Sequence, residues 1–185
     1  MTLLNTSTPR VLSVAGTDPT GGAGIQADLK SIAASGGYGT CATTALVAQN
    51  TQGVRSIFAP PTEFLQEQLA VVFDDVTVDA VKIGMLGDVE TITTVKTWLA
   101  EHPVPVVVLD PVMVASSGDR LISQDAEQAL RELVAQADVI TPNIAELAVL
   151  CESNPAQTLK EAHHQAAQLA GSTGTTVIVK GGHLT

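Results

Sequence analysis

The chain has 185 residues, with nine Lys and Arg against 19 Asp and Glu, a formal net charge of −10, and 45% hydrophobic, 15% charged and 3% aromatic residues. So negative a field repels nucleic acid, and so few aromatics offer bases no stacking platform, while the apolar fraction can fill a core and is too high for a disordered chain. No apolar run reaches membrane-spanning length, the first ten residues lack the charged start and apolar stretch of a signal peptide, and Cys41 and Cys151 are too few and too far apart for a disulfide framework or a zinc site; these features predict a cytoplasmic protein, without a membrane partner, whose cysteines are buried and reduced.

The first predicted strand covers residues 11–15 and runs into a loop, 16–24, with four glycines, Pro19 and the polar Thr17, Asp18 and Thr20. A helix is expected over 23–34, with its free N–H groups turned back on that loop. Strands at 41–48 and 54–59 precede a helix over 62–73, opened by Pro61. Then come strand 80–85, helix 89–100, strand 104–110 and helix 123–135, with Asp88 and Ser123 as N-caps. Strand 139–141, helices 144–151 and 159–170, and strand 175–180 complete the order. The run VPVVVLD at 104–110 is continuously apolar, as a strand covered on both faces must be. The alternation predicts one α/β domain over 1–185, a mostly parallel sheet between helical layers, with no internal repeat or linker.

Ligands of such sheets gather beyond the C-terminal ends of the strands. The residues expected there are Gly16, Thr17 and Asp18; Gln49 and Asn50; Gly84 and Met85; Asp110 and Pro111; Thr141, Pro142 and Asn143 with Glu146; and Lys180, Gly181, Gly182 and His183. Gly22, Gly24 and Ala27 match the spacing of a dinucleotide fingerprint, but they lie six residues or more beyond Gly16, and no Asp or Glu stands between Asp28 and Glu63 to grip a ribose. A P-loop is excluded because no Gly-Lys-Ser/Thr occurs. Asn143 and Glu146 have the spacing of a helix capping box, and equally of an amide and a carboxylate that hold water or magnesium near phosphate. Lys180, before two glycines at a strand end, suits a phosphate; Asp110 suits a metal or a loop cap. Lys82, inside an apolar strand, is structural and needs a partner or a snorkelling path.

The stretches AGTDPTGGAGIQADLK, TALVAQNTQGV, VKIGML, VVLDPVM, ITPNIAEL and VIVKGGHL, in this order, resemble the hydroxymethylpyrimidine/phosphomethylpyrimidine kinases of thiamine biosynthesis, members of the ribokinase-like superfamily; pyridoxal kinases of the same type are the nearest alternative. The resemblance implies a three-layer αβα fold and transfer of the γ-phosphoryl group of ATP, with Mg2+, to the pyrimidine hydroxymethyl group and then to the monophosphate. It assigns Gly16, Asp18, Ala23, Gln49 and Met85 to the pyrimidine, Asn143 and Lys180 to ATP and its phosphates, and Asp110 and Glu146 to the metal. It also implies a homodimer. Family members continue past the K-G-G-H element into further strands and a glycine-rich turn, which supplies an anion hole and the residue that activates the substrate hydroxyl. On that comparison the catalytic residues lie beyond Thr185, the chain matches the N-terminal two-thirds of a kinase without its C-terminal strands, and by itself it is expected to be inactive. The other class left open is a non-catalytic pyrimidine- or pyridoxal-binding fragment. The opening loop is then the wall of the substrate site, with the phosphates held elsewhere on the rim.

Overall fold

The computed structural model describes residues 8–113 and 122–182, so His183 lies outside the described residues. The elements in order are β1 (Arg10–Gly16), α1 (Gly24–Ala34), β2 (Tyr38–Asn50), β3 (Gly53–Phe58), α2 (Thr62–Asp75), β4 (Ala80–Ile83), α3 (Val89–Glu101), β5 (Val107–Leu109), α4 (Gln124–Val134), β6 (Val139–Ile140), α5 (Ile144–Leu150), α6 (Leu159–Thr173) and β7 (Thr176–Val177). The strands form one sheet in the order β3-β2-β1-β4-β5-β6-β7, parallel except for the antiparallel β2–β3 pair.

Alternation along β1 shows how the layers are built. Leu12 and Val14 are buried in a cluster with Leu65 and Leu69 of α2, Ile92 and Val95 of α3, and Leu130 and Leu133 of α4. Ser13, between them, turns to the other face, where its hydroxyl donates to Asp28 of α1 at 2.6 Å. Successive side chains of a strand point to opposite faces, so helices cover both sides of the sheet. Lys82 of β4 lies on the Ser13 side and is paired with the same Asp28 at 2.9 Å, the partner that a lysine inside an apolar strand requires. At the other end of β1, Arg10 grips Asp79 in a fork, Nε to Oδ2 at 2.9 Å and Nη2 to Oδ1 at 3.0 Å. Those bonds hold the Asp79 carboxyl down to about 2.

Helix starts follow the chemistry of their caps. Asp88 accepts the Thr91 N–H at 2.8 Å, Ser123 the Ala126 N–H at 3.2 Å, and Thr158 the Glu161 N–H at 3.2 Å.

Strand lengths depart from the sequence pattern where prolines intervene. β5 begins only at Val107, past Pro105, and the Val107 N–H goes to Asp138 Oδ2 at 2.7 Å. β7 is assigned only two residues, although Ile178 and Lys180 still donate to Ile140 and Pro142. Pro142 has no N–H to return, and the Asn143 N–H turns to Glu146, so the ladder reappears only as an isolated bridge between Asn143 and Lys180. β2 is longer than expected, and Gln49 and Asn50 are its last two residues instead of a loop beyond it. Cys41, expected to be buried, is exposed on β2, and Cys151 is half-buried. Among the described residues no helix is long and apolar enough to cross a membrane.

Candidate functional site

β1 connects through α1 to β2 on one side, while its other neighbour, β4, leads on to β5. A crevice opens at such a reversal of strand order, beyond the carboxyl ends of the strands. Gly16 and Met85 meet there, so closely that a Cβ on Gly16 would lie 2.6 Å from Met85 Cε. The β1–β2 register shifts between Ala15 and Gly16, which leaves Thr44 outside the pairing; its hydroxyl donates to the Met85 carbonyl at 2.6 Å. Past Ala45, β2 has no β1 partner and pairs with β3 alone, so the hairpin rises beyond the rim. A second register shift between Ala48 and Gln49 sets the direction of the half-buried Gln49.

The glycine loop is closed on itself. Gly24 has φ +56°, and a Cβ there would stand 2.4 Å from the Gly16 carbonyl oxygen, so no other residue fits. The N-cap of α1 is Ala23, whose methyl group cannot accept a hydrogen bond. Asp18 supplies the acceptor: its carboxylate takes the Ala23 N–H at 2.8 Å, the Gly22 N–H at 3.1 Å and the Thr20 N–H at 2.9 Å. Held first by Gln49 and then by these loop donors, the Asp18 carboxyl stays well below the usual carboxylate range. The N–H groups of Gly22 and Ala23 are therefore engaged within the loop. Gln26 accepts the Asp18 N–H at 2.7 Å, and Thr17 ties the loop to β2, donating its N–H to Ala45 at 2.8 Å and accepting that of Val47 at 2.9 Å.

Two strands along the rim the character changes. Lys180 Nζ lies 2.7 Å from Asp110 Oδ1 and 3.9 Å from Glu146 Oε2, and Thr141 donates to Asp110 at 3.2 Å. Glu146 is 2% exposed. Its Oε2 accepts the Asn143 N–H at 2.8 Å while Asn143 Oδ1 accepts the Glu146 N–H at 2.9 Å, a complete capping box. Burial pushes the Glu146 carboxyl up, against the opposing pull of the Asn143 N–H and the Lys180 charge. Among the described residues no group of three or more His, Cys, Asp or Glu is arranged for a metal ion. Two carboxylates still suit a hard cation such as Mg2+, which takes one or two protein oxygens and completes its shell with water and phosphate.

The structure thus gathers the residues singled out from the sequence into two groups. Gly16, Asp18, Ala23, Gln49 and Met85 surround the ends of β1, β2 and β4; Asp110, Asn143, Glu146 and Lys180 surround those of β5, β6 and β7. At about 4.8 Å between neighbouring strands, the end of β1 is roughly 10 Å from that of β5. Thr17 was expected at the rim, whereas Gln26 and Thr44, whose bonds also fix the first group, carried no sequence signal beyond their nearness to it.

A protein-family model described as phosphomethylpyrimidine kinase matches residues 18–185. The chain is 64% identical over 179 residues to the thiamine biosynthesis multifunctional protein ThiED of Corynebacterium glutamicum, covering 97% of this chain and 24% of that protein. It is 48% identical over 174 residues to the hydroxymethylpyrimidine/phosphomethylpyrimidine kinase of Salmonella typhimurium, covering 94% of this chain and 65% of that one. Among solved structures, the phosphomethylpyrimidine kinase of Clostridium difficile superposes with a TM-score of 0.89 at 35% identity, over 96% of this chain and 77% of that chain. The chain therefore spans between about a quarter and two thirds of the length of these two curated relatives.

Proposed function

The chain belongs to the phosphomethylpyrimidine kinase family, with a three-layer ribokinase-like fold, and on that premise we propose that it serves ATP-dependent phosphorylation of 4-amino-5-hydroxymethyl-2-methylpyrimidine and its monophosphate in thiamine biosynthesis. The observation that carries this reading is the division of the rim into a closed loop wall, whose one carboxylate is locked by neutral donors, and an open cluster of ion-paired side chains, set roughly 10 Å apart. In this reading residues 1–185 are one kinase domain.

The loop wall takes the ring. Gly16, Ala23 and Met85 provide close-approach backbone and an apolar thioether, and the Gln49 amide offers donors and an acceptor to the amine and ring nitrogen. Asp18 holds the loop in place. The charged cluster takes the triphosphate: Lys180 contacts its oxygens, and Asn143 fixes Glu146 through the capping box. Asp110 and Glu146 would hold Mg2+, which supplies neutralisation of the phosphate charge. Lys180 now rests on Asp110, so in this reading it exchanges that carboxylate for a phosphate when nucleotide arrives. Catalysis by such a site is positioning and charge stabilisation.

The homodimer expected for the family is proposed to form on β3, all six residues of which are exposed. Exposed Ile57 and Phe58, with Leu46 of β2 and Phe64 of α2, form an apolar surface beside it. Free thiols at Cys41 and Cys151 fit a cytoplasmic setting. Calorimetric titration with a ligand panel tests the function: the aminopyrimidine and Mg-ATP should each bind, and NAD should not. Failure to bind the aminopyrimidine would overturn the reading.

A further inference from the structure

Gly16 ends β1 between its two neighbours, β2 and β4, and past that end a hydrogen bond joins the outer two strands directly. Ala15 pairs with Thr43 and Gly16 with Ala45, so Thr44 is the extra residue of a bulge and has no β1 partner. Its hydroxyl, on a residue 2% exposed, donates to the Met85 carbonyl at 2.6 Å. The pairing of β4 with β1 ends at Ile83, and the Gly84 N–H makes one more bond, to the Val14 carbonyl at 2.9 Å. Thr44 thus supplies a donor where the ladder stops. The other end of Met85 is confined as well, because its Cε lies where a Cβ on Gly16 would stand 2.6 Å away. Backbone and side chain of Met85 are therefore both tied to the end of β1 and β2, and the missing side chain of Gly16 makes the room.

We propose that Thr44 is a positioning residue for substrate binding: its hydroxyl fixes the chain as it leaves β4 and so sets where the Met85 thioether stands against the bound ring. The inference rests on the reading above that a pyrimidine packs on Met85. Methionine is unbranched, with three rotatable bonds, and when unconstrained it adapts to whatever it meets. A flat ring binds better to an apolar wall already in place, because a loose side chain loses rotamer freedom as the ligand arrives. Held at its carbonyl and confined at its methyl, Met85 has given up part of that freedom beforehand. Valine keeps the branched shape of threonine without the donor, and serine keeps the donor without the methyl, so the two substitutions separate the hydrogen bond from the packing.

Nuclear magnetic resonance and calorimetry test this together. In the ligand-free wild-type chain the Thr44 hydroxyl proton, identified through its coupling to the Thr44 β-proton, should exchange slowly enough to give its own signal. Exchange at the rate of an open hydroxyl would overturn the proposal, and that test needs no variant. Of the three methionine methyls in the chain, that of Met85, identified by its loss in Met85→Leu, should move towards the position of a freely rotating thioether in Thr44→Val and return in Thr44→Ser. An unmoved signal in Thr44→Val would overturn the proposal without reference to any substrate. The aminopyrimidine should bind Thr44→Val about five- to tenfold more weakly than wild type, Thr44→Ser should recover most of that loss, and Mg-ATP should bind wild type and both variants alike. Unchanged pyrimidine affinity, equal weakening of Mg-ATP, or a loss that serine does not recover would overturn the positioning role and leave Thr44 a structural tie. A wild-type chain that binds no aminopyrimidine overturns the substrate reading, and the positioning role with it, whatever the spectra show.

Discussion

The two halves of the rim solve the problem of buried polar groups in opposite ways. At the ends of β1 and β2 the carboxylate of Asp18 is answered by backbone N–H groups and a hydroxyl, all neutral, and the loop is complete without a ligand. Around β5 to β7, two carboxylates share the charge of one lysine, 46% exposed in its side chain, besides the Thr141 hydroxyl and the Asn143 N–H, and Glu146 carries the penalty of burial. Neutral donors around a fixed charge make a rigid shape, suited to reading the outline and donors of a small flat ring. Opposed charges at an open rim make a surface whose pairings an incoming phosphate and its cation can exchange. The same strand ends thus carry a preorganised wall and a cluster primed for charge exchange.

If the halves are separate, substitutions should divide cleanly between them. The largest effect is expected for Gly24→Ala, which places a Cβ in a left-handed backbone against the Gly16 carbonyl. It should cost roughly 2–3 kcal/mol of stability in thermal unfolding and abolish aminopyrimidine binding, while Mg-ATP still binds at temperatures where the variant is folded. Lys180→Met should weaken Mg-ATP between about tenfold and a hundredfold in calorimetry, as for loss of a charged hydrogen bond, and leave the pyrimidine affinity unchanged. Gln49→Ala should do the reverse, weakening the aminopyrimidine about five- to tenfold with Mg-ATP unaffected. A variant that weakened both ligands together would break the division.

The smallest effect belongs to Asp79→Asn, remote from both halves. The Asp79 carboxyl is depressed to about 2, so its folded state binds a proton less readily than the unfolded chain. Its contribution is therefore present above about pH 4, the ordinary carboxylate value, and is lost as pH falls through about 2. Acid unfolding followed by circular dichroism should lose that part of its pH dependence in the variant, and neither ligand affinity should move.

Much of this was legible in the sequence because local chemistry and tertiary structure agree. Asp88 and Ser123 cap where a sequence reading puts them, Lys82 finds a carboxylate as a lysine in an apolar strand must, and the Asn143–Glu146 spacing forms its box. What was not legible depends on register. The hydroxyl of Thr44 reaches Met85 only because β1 and β2 slip by a residue, and Gln49 ends a strand that outruns β1 and bends at a second slip. No periodicity announces such slips. Cys41 was misjudged for a related reason: composition says that free cysteines are usually buried, but not which stretch of a long strand its helices cover.

The central claim is that one rim holds two separate subsites. Amide chemical-shift mapping with the aminopyrimidine, then with Mg-ADP, tests it most directly. The account predicts that the pyrimidine moves signals in residues 16–24, 45–49 and around Met85, and that Mg-ADP moves those around Asp110, Thr141 to Glu146 and Lys180. Both ligands shifting the same set, or the pyrimidine shifting the Lys180 group alone, would contradict it.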